Sequence, residues 1–498
     1  MPGAAGKRAQ RKSGSNRNQV ALRRSLLQQP GVVERLVPRG VRWVLAKLTD
    51  AGHEAVLVGG CVRDLLLGRA PKDWDVATSA QPAAVQRIFP RTRPTGIAHG
   101  TVTVLAGSRP VEVTTYRVEG PYTDHRRPDS VSFTVSLEED LARRDFTINA
   151  MALKADGTLV DPWGGLKDLT ERRIRAVGDP AERFNEDALR MLRAIRFAAQ
   201  LEFDLDPSVR EAITRQAHLL DHVSRERIRD EFNKIVMSKP VVWAMNELKD
   251  TGLLARFIPE LLDGVGVEQN IHHRYTVWEH NIRACQAVKP VLHLRLAALF
   301  HDIAKPHTLT IDEHGNRHFY HHEVKGAEMT NRIMRRLRYD NETRKKVVHL
   351  VRHHLALHLY RDMTDAGVRR LLRRIGLENL EDLILLRMAD RKASGTKRDP
   401  LSRGTRRLLQ MIEKVLQEDS AFGLKDLAVN GHDVMEVLGM GPGPHVGRIL
   451  QALLEMVLDD PNLNQREVLL EKIPEVAASL GIPVQTAQEV PTQDGGPA

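Results

Sequence analysis

The sequence predicts an α+β molecule, a small mixed head followed by a long all-helical remainder. Two observations carry this. Between Val41 and about Val177, apolar runs of strand length alternate with helix-length segments and turn residues. From about Glu182 onward, apolar residues recur at helical spacing and strand patterns almost vanish. No internal repeat is present, which argues against a solenoid. The head should open with a helix near Val41–Asp50, a strand at Ala55–Gly59 and a second strand at Asp73–Ala77. Ser79-Ala-Gln-Pro82 reads as a helix start, a cap with an early proline, running to Ile88. Strands at Thr101–Ala106 and Val111–Arg117 follow. Joints near Gly178-Asp-Pro180, Lys239-Pro240 and Thr396–Gly404 divide the chain into 39–180, 181–240, 241–395 and 396–483, flanked by disordered tails at 1–38 and 484–498.

The chain has 498 residues, a formal charge of +10 and 28% charged residues. That length holds two to four domains, and the basic balance fits a polyanionic partner. Two cysteines, Cys61 and Cys285, exclude a cysteine-rich zinc site or a disulfide framework. They suit a reducing cytosol, so a cytoplasmic location is expected. No apolar run approaches the roughly 20 residues of a membrane span, so no membrane partner is expected. The first stretch is rich in Lys, Arg, Gly, Ser and Gln, with no acid before Glu34. It reads as a basic arm touching RNA or an inert tail rather than an organelle transit peptide, because it lacks an amphipathic face.

Chemistry concentrates first in Val56-Leu-Val-Gly-Gly-Cys-Val-Arg-Asp64 and Lys72-Asp-Trp-Asp75. Gly59 and Gly60 let backbone N–H groups approach a phosphate at the start of a helix. Asp73 and Asp75, two apart on a strand, would share a face. Two converging carboxylates suit Mg²⁺, although a lone Asp-x-Asp is more often a solvated edge. In Pro110-Val-Glu-Val-Thr-Thr-Tyr116, Glu112 falls on the polar face and could supply a third carboxylate. A polar loop at Glu119–Leu141, with Asp124-His-Arg-Arg-Pro128, could gate an incoming nucleotide or simply be solvated. In Arg143-Arg-Asp-Phe-Thr-Ile-Asn-Ala-Met-Ala152, Arg144 and Asp145 read either as phosphate and ribose contacts or as a structural salt bridge.

Those motifs, with Asp161-Pro-Trp-Gly-Gly165, Glu186-Asp-Ala-Leu-Arg190 and Ser224-Arg-Glu-Arg-Ile228, occur in one order. Together they resemble the class II tRNA nucleotidyltransferases, the CCA-adding enzymes and bacterial poly(A) polymerases of the polymerase-β superfamily. The resemblance implies a polymerase-β-like head, a helical neck at 181–240, a body at 241–395 and a tail at 396–483. It implies that Asp73 and Asp75 bind catalytic Mg²⁺, with Glu112 completing the catalytic set. The nucleotide contacts it implies are Gly59, Gly60, Arg63, Arg144, Asp145, Asn149, Asp187, Arg190 and Arg193. By spacing alone, Asp187 and Arg190 would be neighbours on one helical face, and an intrahelical ion pair is the plain alternative. In the family the matching pair reads the incoming base. Asp187 would accept from the exocyclic amine shared by cytosine and adenine, where uracil and guanine present a carbonyl.

The stretch Thr95-Gly-Ile-Ala-His-Gly-Thr-Val-Thr-Val104 resembles the CCA-adding branch rather than poly(A) polymerase. The loop after Glu112 is of full length, and the family associates a shortened loop with CC-only addition, so the resemblance makes pure CC addition the least expected variant. The implied partners are the tRNA 3′ end, CTP and ATP. Poly(A) polymerase or an A-adding enzyme is the alternative.

A second group of residues lies in the body. His280 in Trp278-Glu-His280, then His301-Asp302, then Asp390 in Arg387-Met-Ala-Asp-Arg391 match the ligand order of HD phosphohydrolases. A buried His–Asp couple without metal is the plain alternative. The resemblance implies Ni²⁺, Co²⁺ or Mn²⁺ at this HD site and hydrolysis of a phosphate ester, such as a 2′,3′-cyclic phosphate on RNA ends. His321, His322, His353 and His354 are candidates for extra ligands or a second metal. Two further readings are an HD phosphohydrolase with the head as an RNA-positioning module, and a non-catalytic RNA-binding scaffold.

Overall fold

The computed structural model of the chain describes residues 19–107, 109–120, 130–357, 363–417 and 423–483. Among the described residues, the head up to Val160 holds nine short strands: β1 (Ala55–Val58), β2 (Asp75–Thr78), β3 (Thr92–Gly96), β4 (Thr101–Ala106), β5 (Arg109–Thr115), β6 (Arg117–Glu119), β7 (Val131–Phe133), β8 (Ala152–Leu153) and β9 (Leu159–Val160); a further strand, Arg173–Ile174, pairs with Asp204–Leu205. Seven of them make one sheet in the order β3-β4-β5-β2-β1-β8-β9, and β6 pairs with β7 separately. The β2–β5 pair is parallel, with Asp75 opposite Glu112. Aligned residues of a parallel pair point to the same face, so these two carboxylates are neighbours. β1 is apolar and buried along its whole length, as a central strand covered on both faces must be.

The expected strand at Asp73–Ala77 begins only at Asp75. Asp73 sits in the bend before it, so the shared-face spacing does not place it. The helix after Gly60 and the helix Pro82–Ile88 form where expected. Ser79 does not cap the latter; its hydroxyl instead accepts the Glu54 N–H at 3.0 Å.

The disordered tail expected at 1–38 is a correction from residue 19 onward. Residues 19–27 and Val32–Leu36 are helical, and Val20, Leu27, Val33 and Val37 are buried in the main core. The basic composition concealed these four apolar residues, whose burial offsets the entropy of ordering the segment. Residues 1–18, the Asp124–Pro128 cluster and the tail at 484–498 lie outside the described residues.

Beyond the head, the Leu189–Leu201 helix is buried on nearly every side and packs against the Arg225–Val236 helix. One continuous core of buried side chains runs from the head into the body, ending on the Arg403–Gln417 helix. A separate core between Leu427 and Ile482 holds the last helices together. No described helix is long and apolar enough to cross a membrane.

Candidate active site

The head and neck enclose a cavity of about 670 Å³, lined by eight arginines and five carboxylates. That excess of fixed positive charge suits a polyanion. At its floor, Gly59 adopts φ 75°, ψ −133°, a conformation that L side chains rarely reach. A Cβ there would stand 3.1 Å from Arg144 Nη1 and 3.8 Å from Asp75 Oδ2. The backbone conformation is what calls for glycine here, and it brings the main chain close to both groups.

Asp73 and Asp75 both line this cavity, and Glu112 flanks Asp75 through the β2–β5 register. The Asp75 carboxyl is pushed up to about 6, first by burial and next by Glu112, with Asp73 adding and Arg144 opposing. Carboxylates that hinder one another's ionisation fit a divalent cation, which would relieve the repulsion.

A hydrogen-bonded chain crosses the cavity wall. Arg63 Nη1 donates to Asn149 Oδ1 at 2.7 Å, Asn149 Nδ2 to Asp145 Oδ1 at 3.2 Å, and Arg193 Nε to Asp145 Oδ2 at 2.8 Å. Burial pushes the Asp145 carboxyl up, but the Arg193 charge and hydrogen bonds, with Arg190 and Asn149, outweigh it and hold it at about 2. Arg144 donates instead to Asp140 Oδ2 at 3.1 Å, and Arg143 to Asp140 Oδ1 at 2.7 Å. The alternative of an Arg144–Asp145 salt bridge is therefore not what forms. Burial also works against Asp140 ionisation, yet Arg144 and Arg143 keep its carboxyl below the usual range. Asp140 was missed in the sequence, although it lies three and four residues before that arginine pair on a helix capped by Ser136, the spacing at which such ion pairs form.

The helical-face placement of Asp187 and Arg190 is also corrected. Asp187 lies in an extended break between the helices Pro180–Glu186 and Leu189–Leu201. Its Oδ1 accepts Leu189 N–H at 3.1 Å, and its Oδ2 accepts Arg227 Nη2 at 2.7 Å. Arg190 does not pair with Asp187. Its Nη1 bonds Glu186 and Arg183 O, and its Nη2 bonds Arg143 O at 3.1 Å. Arg227 was quoted within a motif but not singled out, because its partner is 40 residues away in sequence. All three side chains still line the same cavity.

In the body, three helices converge. Thr276 and Glu279 form a capping box that starts the Val277–Ala287 helix, and His280 follows within its first turn. His301-Asp302 closes the Leu292–Phe300 helix, and Asp390 comes from Leu380–Ala393. His280 Nε2 lies 3.1 Å from His301 Nε2, 3.4 Å from Asp302 Oδ2 and 3.2 Å from Asp390 Oδ1. Burial disfavours both carboxylates, but His301 and Lys305 hold Asp302, and His280, His301 and Arg387 hold Asp390, well below the usual range. Of the four further histidines, His322 and His354 join this cluster. His321 is exposed, and His353 packs its ring on His349, centroids 4.5 Å apart. Among the described residues, two trios have donor atoms all within 4.8 Å of one another: His280, His301 and Asp390, and Asp302, His322 and His354. The buried donor set of imidazoles and carboxylates fits a divalent transition metal.

A glycine turn, a carboxylate group on a mixed sheet and an arginine-rich cavity shared with a helical neck define a nucleotidyltransferase of the polymerase-β type. Residues 55–175 match the family model of the poly(A) polymerase head domain, 202–264 that of the RNA and SrmB-binding site of polymerase A, and 319–473 that of tRNA nucleotidyltransferase domain 2. A CCA-adding enzyme of Anoxybacillus flavithermus is 37% identical over 86% of this chain and 94% of its own. One from Limosilactobacillus fermentum is 36% identical over 86% and 95%. The crystal structure of the Bacillus stearothermophilus CCA-adding enzyme in complex with CTP superposes with a TM-score of 0.68 at 30% identity, covering 89% of this chain and 99% of that one. The chain belongs to the CCA-adding enzyme family, and its nucleotidyltransferase head implies the use of divalent metal ions.

Proposed function

We propose that this chain adds C, C and A to the 3′ end of tRNA, taking CTP and ATP as substrates without a nucleic-acid template. The observation that carries this is the meeting, in one cavity, of a glycine turn, the Asp73 and Asp75 carboxylates and the separate side chains of Asp187 and Arg190. Family membership selects this product over poly(A).

Asp73 and Asp75, with Glu112 beside them, would hold Mg²⁺. Bound there, such ions lower the pKa of an attacking hydroxyl and steady the triphosphate leaving group. The chain's own side chains do the rest. The Gly60 backbone N–H approaches the triphosphate at the helix start, the Gly59 N–H being held by Met151 O at 3.3 Å, and Arg63 and Arg144 supply positive charge beside it. Asp145, kept ionised by Arg193, already accepts two bonds on each oxygen, from Phe146 N–H and Asn149 and from Arg193, so a ribose hydroxyl would donate to it in exchange for one of them, the long Asn149 bond at 3.2 Å first. Each Asp187 oxygen already accepts one bond and keeps a lone pair for the amine of cytosine or adenine. Arg190 retains its Nε–H and one Nη2–H for the ring acceptors of the base. A uracil carbonyl would face the Asp187 carboxylate without a proton to share, and two acceptor oxygens brought together repel where the amine of cytosine or adenine would bond. Asp73→Ala should abolish incorporation into tRNA while leaving the thermal unfolding curve unchanged; undiminished incorporation would remove Asp73 from the site.

The buried body cluster supports a second activity, hydrolysis of phosphate esters at RNA ends with Mn²⁺, Co²⁺ or Ni²⁺ on His280, His301, Asp302 and Asp390. His301→Ala should then lose phosphatase activity and keep nucleotide addition. Loss of both together would show that the two sites are not separate.

A further inference from the structure

We propose that the body carries a separate nucleoside-phosphate site, a basic recess beside the Leu380–Ala393 helix. An apolar floor would take the base, and Lys392, Lys397 and Arg398 the phosphate. The recess shares no lining residue with the head cavity or with the cavity of the histidine–aspartate cluster, so it goes beyond the function proposed above.

The Leu380–Ala393 helix turns Leu385, Met388, Ala389 and Lys392 toward this recess, a spacing that makes one helical face. Asp390 instead lines the cavity of the histidine–aspartate cluster. Val288, just past the Val277–Ala287 helix, closes another side, and residues 397–400 complete the wall. That last segment is pinned. Arg391 Nε donates to Asp399 O at 3.2 Å, and Leu401 N–H donates to Asp399 Oδ1 at 3.2 Å. The recess measures about 390 Å³, within the ~300–1,000 Å³ usual for small-molecule sites. Val288 and Ala389 in its floor are buried, and Leu385 and Met388 are half-buried.

The rim is strongly positive. Lys289, Lys392, Lys397 and Arg398 line it against one acid, Asp399, and Arg406 already pairs with that carboxylate. Lys289 has a loose partner in Glu381, 3.5 Å away. Among the described residues, Lys392, Lys397 and Arg398 have no carboxylate within ion-pairing distance. A solvated charge cluster is the plain alternative. Against it, Lys397 is half-buried beside an apolar floor. Burial first, and the Arg391 charge next, hold its ammonium below the usual range, with Asp390 opposing. A bound anion would relieve that cost.

The two halves of the recess select the ligand class. A phosphate alone would leave the floor uncovered, and an apolar ligand would leave the cations unpaired. A nucleoside phosphate satisfies both. Aliphatic side chains and the Met388 thioether cover the face of a base, and the cations meet phosphate oxygens. Among the described residues, no hydroxyl or carboxamide side chain lines the recess to read a base edge, so the site takes any base. The ligand is therefore a free nucleotide or one residue of an RNA strand.

The test follows the Met388 methyl group in the full chain, in ¹³C-methyl methionine spectra assigned with Met388→Leu. The probes, added with chelator present, are AMP, UMP, short oligo(A) and oligo(U) strands, and inorganic phosphate. The Met388 methyl should shift alike with either base, and inorganic phosphate should not reproduce the shift. Shifts with AMP and UMP support a site open to free nucleotides. Shifts with the oligonucleotides alone support a site for an RNA strand. Lys392→Gln/Lys397→Gln/Arg398→Gln should weaken the binding by about tenfold or more while keeping Tm and nucleotide addition by the head. No shift with any nucleotide probe, the same shift from inorganic phosphate, or binding undiminished in the triple variant would overturn the proposal. The unmodified chain decides the first two of these even where the triple variant fails to fold.

Discussion

The head and the body both gather carboxylates, and they do so in opposite ways. In the head, Asp73 and Glu112 are exposed and Asp75 is half-buried, all beside a broad arginine-lined cavity. In the body, four buried imidazoles, His280, His301, His322 and His354, each stand 3.3–3.6 Å from the buried Asp302 carboxylate. An open set of hard oxygen ligands suits an ion that arrives and leaves with a triphosphate. A buried, preassembled set containing nitrogen suits a resident ion. The difference teaches that burial and donor type would let one chain keep an exchangeable ion in the head apart from a resident one in the body, on the function proposed above.

The largest expected effect breaks the head alone. Asp75→Ala removes the carboxylate nearest the glycine turn, and incorporation should fall on the order of a thousandfold or more, with bound Mn²⁺ in the body unchanged by elemental analysis. Loss of that Mn²⁺ would mean the two sites are not independent. A smaller effect sharpens the head's role. Asp187→Ala should reduce the preference for CTP and ATP over UTP by about 10- to 100-fold, measured as the ratio of kcat/KM values. Arg227→Ala, which only frees Asp187, should move the same ratio less.

The pH dependence separates the regions further. Asp75 has an ordinary value of 3.8 and stands at about 6 in the folded chain. Between these values the folded state keeps a proton that the unfolded state has released, so the Asp75 contribution to stability falls as pH rises through this window. A divalent ion can replace that proton. Added Mg²⁺ should therefore raise Tm near neutral pH and hardly at about pH 5, in the His301→Ala background as well. Equal shifts at both pH values would contradict the site.

The smallest effect concerns the ordered N-terminal helix. Leu27→Ala should cost about 2 kcal/mol, read as a lower midpoint in denaturant unfolding.

Much of this was legible in the sequence, for identifiable reasons. Gly59, Gly60, Asp73 and Asp75 stand within one short stretch, and their chemistry is local. The periodicity change near Glu182 marked the end of the sheet because strands and helices differ in repeat. Long-range partners were not legible. Nothing near Asp187 announces Arg227, and a helix break undid the spacing that seemed to pair it with Arg190. His322 and His354 were visible as candidates, but only folding brings them to the second oxygen of Asp302. The helix at residues 19–27 escaped because its average composition is polar while Val20 and Leu27 are buried.

The central claim is the product. Transcripts of one tRNA ending before the first C, after one C and after both would be incubated with CTP, ATP or the two together, and the products sequenced. The account predicts completion to a single CCA from every starting point when both nucleotides are present, and arrest when the required one is withheld. Extended A tails, or extension without any requirement for CTP on the shortest transcript, would contradict it.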